Sequence, residues 1–213
     1  MTLFRNRIDA GEKLAWELGE FHGGNTVVVG LPRGGVPVAA EVARQLGAPL
    51  DVLPVRKVGH PNQPELAIGA IAQGGFLVRN EALTGDSGVS DADFEALANR
   101  ERRELVRRAA NYRGDRPPLD LANKVVVLVD DGLATGATMR AAVAAARGLG
   151  AARVIVAVPV ASPETRALLE AEADRVVCVA EPTAFGSVGE WYADFNQTTD
   201  AEVNELLKGS RPS

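Results

Sequence analysis

Four runs of consecutive apolar, mostly β-branched residues constrain this chain most: Thr26–Gly30, Val125–Val129, Val154–Val160 and Val176–Val179. A strand with one wet face alternates apolar and polar residues. A continuous run needs cover on both faces. The cover is written between the runs. Asp9–Phe21 carries Ala10, Leu14, Leu18 and Phe21 at helical spacing, with Trp16 on a flank, and Gly23-Gly24 stops it. Further helices are predicted up to about Leu46, ended by Gly47, over Ala137–Leu149, ended by Gly150, and over Pro163–Ala173. Strands alternating with helices predict an α/β fold with a parallel sheet flanked by helices.

The middle of the chain is less regular. Leu50–Val58 reads as a strand, and Gly59–Pro64, rich in Gly, His, Pro, Asn and Gln, reads as a loop. Ala67–Ala72 and Phe76–Arg79 flank Gly74-Gly75 and read as a hairpin. Asp91–Tyr112 is a long charged helix with Phe94, Leu97, Leu105 and Ala109 as its apolar side, and Gly114–Pro118 breaks it. The 213 residues suit one domain. Its core is expected over about 23–180. Residues 1–22 and 181–208 hold both tryptophans, lie outside the alternation, and are expected to form a small hood together.

Composition excludes several classes. A net charge of −5 gives no global basic field, so nucleic acid is not an expected partner. Arg100, Arg102, Arg103, Arg107 and Arg108 are interspersed with Glu95, Glu101 and Glu104, which reads as a solvated, ion-paired helix face, with a surface for a partner subunit or RNA as the alternative. The single cysteine, Cys178, sits in an apolar run and reads as a small buried hydrophobe; with no disulfide possible, a reducing cytoplasmic setting is expected. No apolar window is long enough to span a membrane, and the charged N-terminus does not read as a signal peptide. His22 reads as part of a helix end, and no Cys/His spacing suits zinc.

In such folds ligands sit beyond the carboxyl ends of strands. The loop after Val129 is Asp130-Asp131-Gly132-Leu133-Ala134-Thr135-Gly136-Ala137-Thr138. Its two carboxylates can accept hydrogen bonds from vicinal hydroxyls. The small residues behind them let backbone N–H groups close on an anion at a helix N-terminus. The loop after Val29, Gly30-Leu31-Pro32-Arg33-Gly34-Gly35, offers a second anion site with a guanidinium. Arg56-Lys57 follows the next strand.

The run Val-Val-Leu-Val-Asp-Asp-Gly-Leu-Ala-Thr-Gly-Ala-Thr resembles the signature by which type I phosphoribosyltransferases bind phosphoribosyl pyrophosphate (PRPP). The resemblance implies the following roles. Asp130 and Asp131 hold the ribose hydroxyls and, directly or through water, Mg²⁺. Ala134, Thr135, Gly136, Ala137 and Thr138 hold the 5-phosphate. Pro32, Arg33, Gly34 and Gly35 form the pyrophosphate loop. A Val-Arg-Lys-x-Gly run like that at Arg56 and Lys57 opens the flexible catalytic loop in adenine-type members, so both cations are expected at the pyrophosphate, with 59–65 closing over the site. His60 reads as an exposed loop residue or an aid to the leaving group, and Glu65 as a substrate contact or a strand cap. Leu133 is a candidate acceptor contact. The aromatics Trp191, Tyr192 and Phe195 fall where the family's variable hood supplies the acceptor site; the same aromatics equally suit the hood's own core.

In 6-oxopurine members an Asp stands at the position of Ala134, so the resemblance is to other branches. Asp9-Ala10-Gly11, Pro-Arg-Gly-Gly, Glu-Leu-Ala-Ile-Gly-Ala and the Trp-Tyr-x-x-Phe tail are similar, over nearly the whole chain, to bacterial predicted phosphoribosyltransferases of unsettled substrate. The implied activity is transfer of ribose 5-phosphate from PRPP to a nitrogenous base with release of pyrophosphate. A homodimer is expected from the family. The alternative is a non-catalytic regulator that senses PRPP or a nucleotide; a third reading has water or a non-base amine as acceptor.

Overall fold

A computed structural model describes residues 2–79 and 88–209, with Pro64 and Glu65 described in backbone only. Five strands form a parallel sheet: β1 (Thr26–Gly30), β2 (Leu50–Val52), β6 (Val125–Val129), β7 (Arg153–Val160) and β8 (Arg175–Ala180), in the order β2-β1-β6-β7-β8. Three of the four predicted continuous runs, in β1, β6 and β7, are its middle, and the fourth, in β8, is an edge. Val27 and Val29 face one way with Val126, Leu128, Val154 and Val156. Val28 faces the other way with Val127, Val129, Ile155 and Ala157. All of these are buried, so each face needs its own layer.

Helices α1 (Arg7–Glu17), α2 (Gly35–Leu46) and α6 (Asp200–Gly209) cover the Val28 face. Helices α4 (Ala137–Gly148) and α5 (Pro163–Glu170) cover the other. Helix α1 is shorter than its hydrophobic spacing predicts. It ends at Leu18, and Phe21 is reached through a 3-10 turn over Gly19–Phe21.

The predicted strand Leu50–Val58 is two strands. It breaks at Leu53-Pro54, where β2 leaves the parallel sheet and β3 (Val55–His60) enters a second, antiparallel one. Residue 54, as proline, has no N–H to continue a ladder. β3 pairs with β4 (Gln63–Ala72), and β4 pairs with β5 (Leu77–Arg79) around Gly74 and Gly75, both at positive φ as a tight reversal needs. The expected loop over Gly59–Pro64 is therefore mostly strand. Its irregularity survives as a bulge: pairing jumps from Gly59↔Ala67 to His60↔Gln63, leaving 64–66 without partners, which accommodates a proline. The hairpin at Gly74-Gly75 is as predicted.

Helix α3 (Asp91–Arg113) lies on this small sheet. Phe94, Ala98 and Leu105 meet Val58, Ile68 and Ile71, while Ala70 and Ala72 on the opposite face join the main core. Of its outer arginines, Arg107 and Arg108 pair with Glu104 as expected, while Arg102 donates to Asn99. Among the described residues no helix is long and apolar enough to cross a membrane.

Phe94 is 3% exposed, and its ring fills the space above Gly69, where a Cβ would come within 2.7 Å of it. Phe94→Ala should cost about 3–5 kcal/mol, as for other buried aromatic truncations. Urea unfolding checks this; a change under about 1 kcal/mol would mean that α3 is held by its ion pairs instead.

Candidate functional site

From β1 the chain steps to β2 on one side and, after the small sheet and α3, returns to β6 on the other. The direction of winding reverses between β1 and β6. Their carboxyl ends open a crevice at that switch point. The loops after Gly30 and Val129 form its walls, and they are in contact. A Cβ on Gly34 would stand 2.0 Å from Asp131 Oδ2, and one on Gly35 would stand 2.6 Å from the Val129 carbonyl oxygen and 2.8 Å from Asp130 Cα. Any side chain at either position would force the walls apart. The Pro32-Arg33 peptide, beside these glycines, is cis.

The two carboxylates occupy this contact. Asp130 Oδ1 accepts the Asp131 N–H at 2.9 Å. Asp131 Oδ2 receives Arg7 Nε at 2.9 Å and Nη2 at 2.8 Å. The Tyr192 hydroxyl donates to the Asp131 carbonyl at 2.6 Å. Burial, and after it the Asp131 charge, pushes the Asp130 carboxyl well above the ordinary carboxylate range. Burial also raises Asp131, with the Arg7 guanidinium opposing it. Tyr192 is raised as well, by burial first and then by Asp131, so it stays a neutral donor.

Beyond the carboxylates the loop turns into α4. Gly136 sits at φ 71° as N-cap, with no side chain capping the helix. The helix N-terminus is thus left for an external acceptor. The turn is fixed from below. Thr165 Oγ1 donates to the Ala134 carbonyl at 2.5 Å, Leu133 N–H to the Val160 carbonyl at 2.9 Å, and the Leu133 side chain is 3% exposed in the core. Ala134 and Thr135 are exposed at the mouth. Leu133 therefore anchors the loop, and its side chain is not open to an acceptor.

The predicted cations are not all together. Arg33 lies in the loop wall, 4.0 Å from Asp200. Arg56 and Lys57, adjacent in β3, point to opposite faces of the small sheet, as strand neighbours must. Arg56 pairs in register with Ile71 and binds Glu101 of α3, with both Nε and Nη2 at 2.8 Å from Oε2. Lys57 pairs with Ala70, on the face toward the main core, and its charge is felt by Asp130. In this arrangement Arg56 is engaged by Glu101, and of the two Lys57 alone faces the carboxylates. His60 Nδ1 accepts the Asn62 N–H at 3.2 Å within the hairpin turn, and the Glu65 side chain lies outside the described residues.

The aromatics differ among themselves. Tyr192 is 4% exposed, with ring centroids of Phe4 and Phe195 at 5.2 and 4.9 Å. Its ring is enclosed by theirs. Phe195 carries the Arg7 guanidinium at 4.0 Å from its centroid. Trp191 stacks with Phe185 at 6.4 Å. Backbone bonds join the two chain ends here: Phe4 N–H to the Trp191 carbonyl at 3.0 Å and Ala193 N–H to the Phe4 carbonyl at 2.8 Å. A cavity of about 400 Å³ opens beside Asp131, lined by Arg7, Arg33, Gly34, Phe195, Gln197 and Thr198.

Arg7 is the site residue that the motifs do not reveal. One local signal exists. Asn6 caps α1, which puts Arg7 at the first helical position, where the helix dipole disfavours a cation.

The raised Asp130 carboxyl has a consequence for stability. An acid whose folded value is raised weakens the fold as pH climbs above its unfolded value, near 4, and costs nothing below it. Asp130→Asn keeps an oxygen for the Asp131 N–H but cannot ionise. In the ligand-free protein it should add about 1–2 kcal/mol near pH 8, fading toward pH 4. Denaturant unfolding at the two pH values measures this, and an equal gain at both would contradict it.

Comparison with known proteins follows the same lines. The family model of the phosphoribosyl transferase domain matches residues 3–195. A protein of Mycobacterium tuberculosis (strain H37Rv), named "Putative phosphoribosyl transferase Rv0571c", is 48% identical over 207 residues, covering 97% of this chain and 47% of that protein. The same figures hold for "Putative phosphoribosyl transferase MT0597" of strain CDC 1551. The chain thus spans about half the length of these curated relatives. The crystal structure of TT1426 from Thermus thermophilus superposes with a TM-score of 0.85 at 46% identity, covering 100% of both chains. The chain belongs to the phosphoribosyl transferase family.

Proposed function

We propose that the protein transfers the ribose 5-phosphate of PRPP to a nitrogenous base, with Mg²⁺ and with release of pyrophosphate. One observation carries the reading: the two loops meet at the switch point, so the guanidinium-bearing loop touches the carboxylate pair, and the same carboxylate loop runs on into the uncapped N-terminus of α4. A 5-phosphate would sit on the backbone N–H groups at the start of α4, beside Thr135 and Thr138. Asp130 and Asp131 would accept from the ribose hydroxyls. The pyrophosphate would lie along Pro32–Gly35, with Arg33 and Lys57 as its cations.

The residues fit a magnesium ion of the phosphate-carried kind. Magnesium takes one or two carboxylates and otherwise phosphate oxygens and water. Two adjacent carboxylates fulfil that, and no set of three or more His, Cys, Asp or Glu side chains converges among the described residues. When bound, Mg²⁺ would neutralise charge on the departing pyrophosphate. In the reaction the C1–oxygen bond breaks with its electron pair leaving on pyrophosphate. The acceptor nitrogen bonds to C1, and its proton passes to the departing pyrophosphate or to water. Arg33 and Lys57 would stabilise the negative charge that grows on the leaving group. Arg56 is assigned a structural role through Glu101.

Turning one of the two expected cations toward α3 favours a second reading, a regulator that binds PRPP or a nucleotide without turning it over. One assay separates the two. The protein is incubated with PRPP, Mg²⁺ and a panel of purine and pyrimidine bases, and pyrophosphate is measured. Release with at least one base is expected; PRPP binding without release from any base sinks the transferase reading. Strand geometry adds a sharper expectation. Lys57→Ala should weaken PRPP binding about tenfold, as for a lost charged contact. Arg56→Ala should affect binding less and instead cost about 0.5–1 kcal/mol of stability. Calorimetry and urea unfolding read these, and equal losses of binding in both variants would contradict the split.

A further inference from the structure

We infer that Arg7 is a positioning residue for ribose recognition: by fixing the Asp131 carboxylate it makes sugar binding depend on the junction of the two chain ends. The inference rests on the PRPP reading above. Arg7 is 124 residues from Asp131 in sequence, yet two of its nitrogens converge on Asp131 Oδ2 at 2.8 and 2.9 Å. Both side chains are largely buried, 11% and 15% exposed. The third nitrogen, Nη1, donates to the Asn196 carbonyl at 2.6 Å. Phe195 lies against the guanidinium at 4.0 Å. All three nitrogens and one guanidinium face thus have partners.

This placement is not explained by the helix that carries it. Arg7 is the first residue of α1, where aligned peptide dipoles present positive charge, so a cation there weakens the helix. Acidic Asp9 in the same turn is the helix's own favourable residue, and it is committed to Arg5 and Lys13. The position makes sense for the carboxylate instead. Asp131 stands on a loop of small residues, and one of its oxygens faces Gly34, which offers no side chain to hold it. Two charged donors on Oδ2 fix the position of that oxygen and leave Oδ1 outside the Arg7 clamp. A ribose has two vicinal hydroxyls and needs acceptors at fixed positions. A carboxylate free to rotate would have to be ordered on each binding event.

The clamp also joins segments that are otherwise far apart in the chain. Arg7 brings the start of α1 to Asp131, Nη1 and Phe195 bring in 195–196, and Tyr192 holds the Asp131 backbone from the same C-terminal segment. Lys with its single ammonium can replace the charge but not this fork.

The test compares two ligands in Mg²⁺ buffer by calorimetry: PRPP, which carries the ribose, and inorganic pyrophosphate, which does not. Arg7→Met should weaken PRPP about tenfold or more while changing pyrophosphate affinity less than about twofold, and Arg7→Lys should recover only part of the loss. A merely structural role would lower both affinities together, as would direct binding of the anion by Arg7. Either result overturns the inference, as does unchanged PRPP affinity in Arg7→Met. If Arg7→Met does not fold, Arg7→Lys decides the question: a loss for PRPP over pyrophosphate supports the clamp, and parallel or absent losses refute it. Failure of the unaltered protein to bind PRPP refutes the functional reading itself, and this inference with it.

Discussion

The approach of two backbone loops at the carboxyl ends of β1 and β6 is the constraint on which the site depends. The sheet order puts these strand ends side by side, but adjacency alone would leave a gap between loops of ordinary side chains. Gly34 and Gly35 close it. Their Cα atoms come so near Asp131 Oδ2, Asp130 Cα and the Val129 carbonyl that no Cβ fits between. A carboxylate pair and a guanidinium-bearing loop then share one crevice. The closeness is also what makes the carboxylates costly, since it shields them from water.

That cost organises the surroundings. Two neighbouring acids in a poorly hydrated crevice repel each other, and Asp130 is held far from its ordinary range by burial and by Asp131. The fold supplies partial compensation from three directions: the Asp131 N–H to Asp130, Arg7 to Asp131, and the Lys57 charge from the small sheet. None of these neutralises the pair completely. Such a pair weakens the fold that holds it.

The sequence displays the parts of this arrangement that depend on local pattern. Continuous valine runs require two-sided burial, so the parallel sheet and its helices are legible without coordinates. Glycines at 74 and 75 mark a reversal, and the carboxylate loop carries its chemistry in consecutive residues. Less visible are features set by pairing between distant segments. Pro54 divides one apparent strand between two sheets, and the bulge opposite Gly59 and His60 turns an apparent loop into a ribbon. Once β3 is a strand, a period of two separates Arg56 from Lys57, although side by side in sequence they look like one cationic unit. Arg7 and Tyr192 reach Asp131 across 124 and 61 residues, a relation no spacing rule reports.

The same long-range contacts bear on what an acceptor can meet. Three aromatics close together in the C-terminal segment look like a stacking platform. Two of them are already used: Tyr192 is enclosed between Phe4 and Phe195 with its hydroxyl on the Asp131 carbonyl, and Phe195 backs the Arg7 guanidinium. Their apolar surface supports Asp131 and its clamp. The cavity next to Asp131 is bordered instead by Arg33, Gln197 and Thr198 with the remaining edge of Phe195. Such a lining selects through hydrogen bonds and charge more than through ring stacking. Sites built on hydrogen bonds discriminate strongly between ligands that differ by a single donor or acceptor, because a wrong ligand leaves a buried polar group unpaired. If the proposed transfer holds, its acceptor is better sought by varying polar edges than by varying ring size.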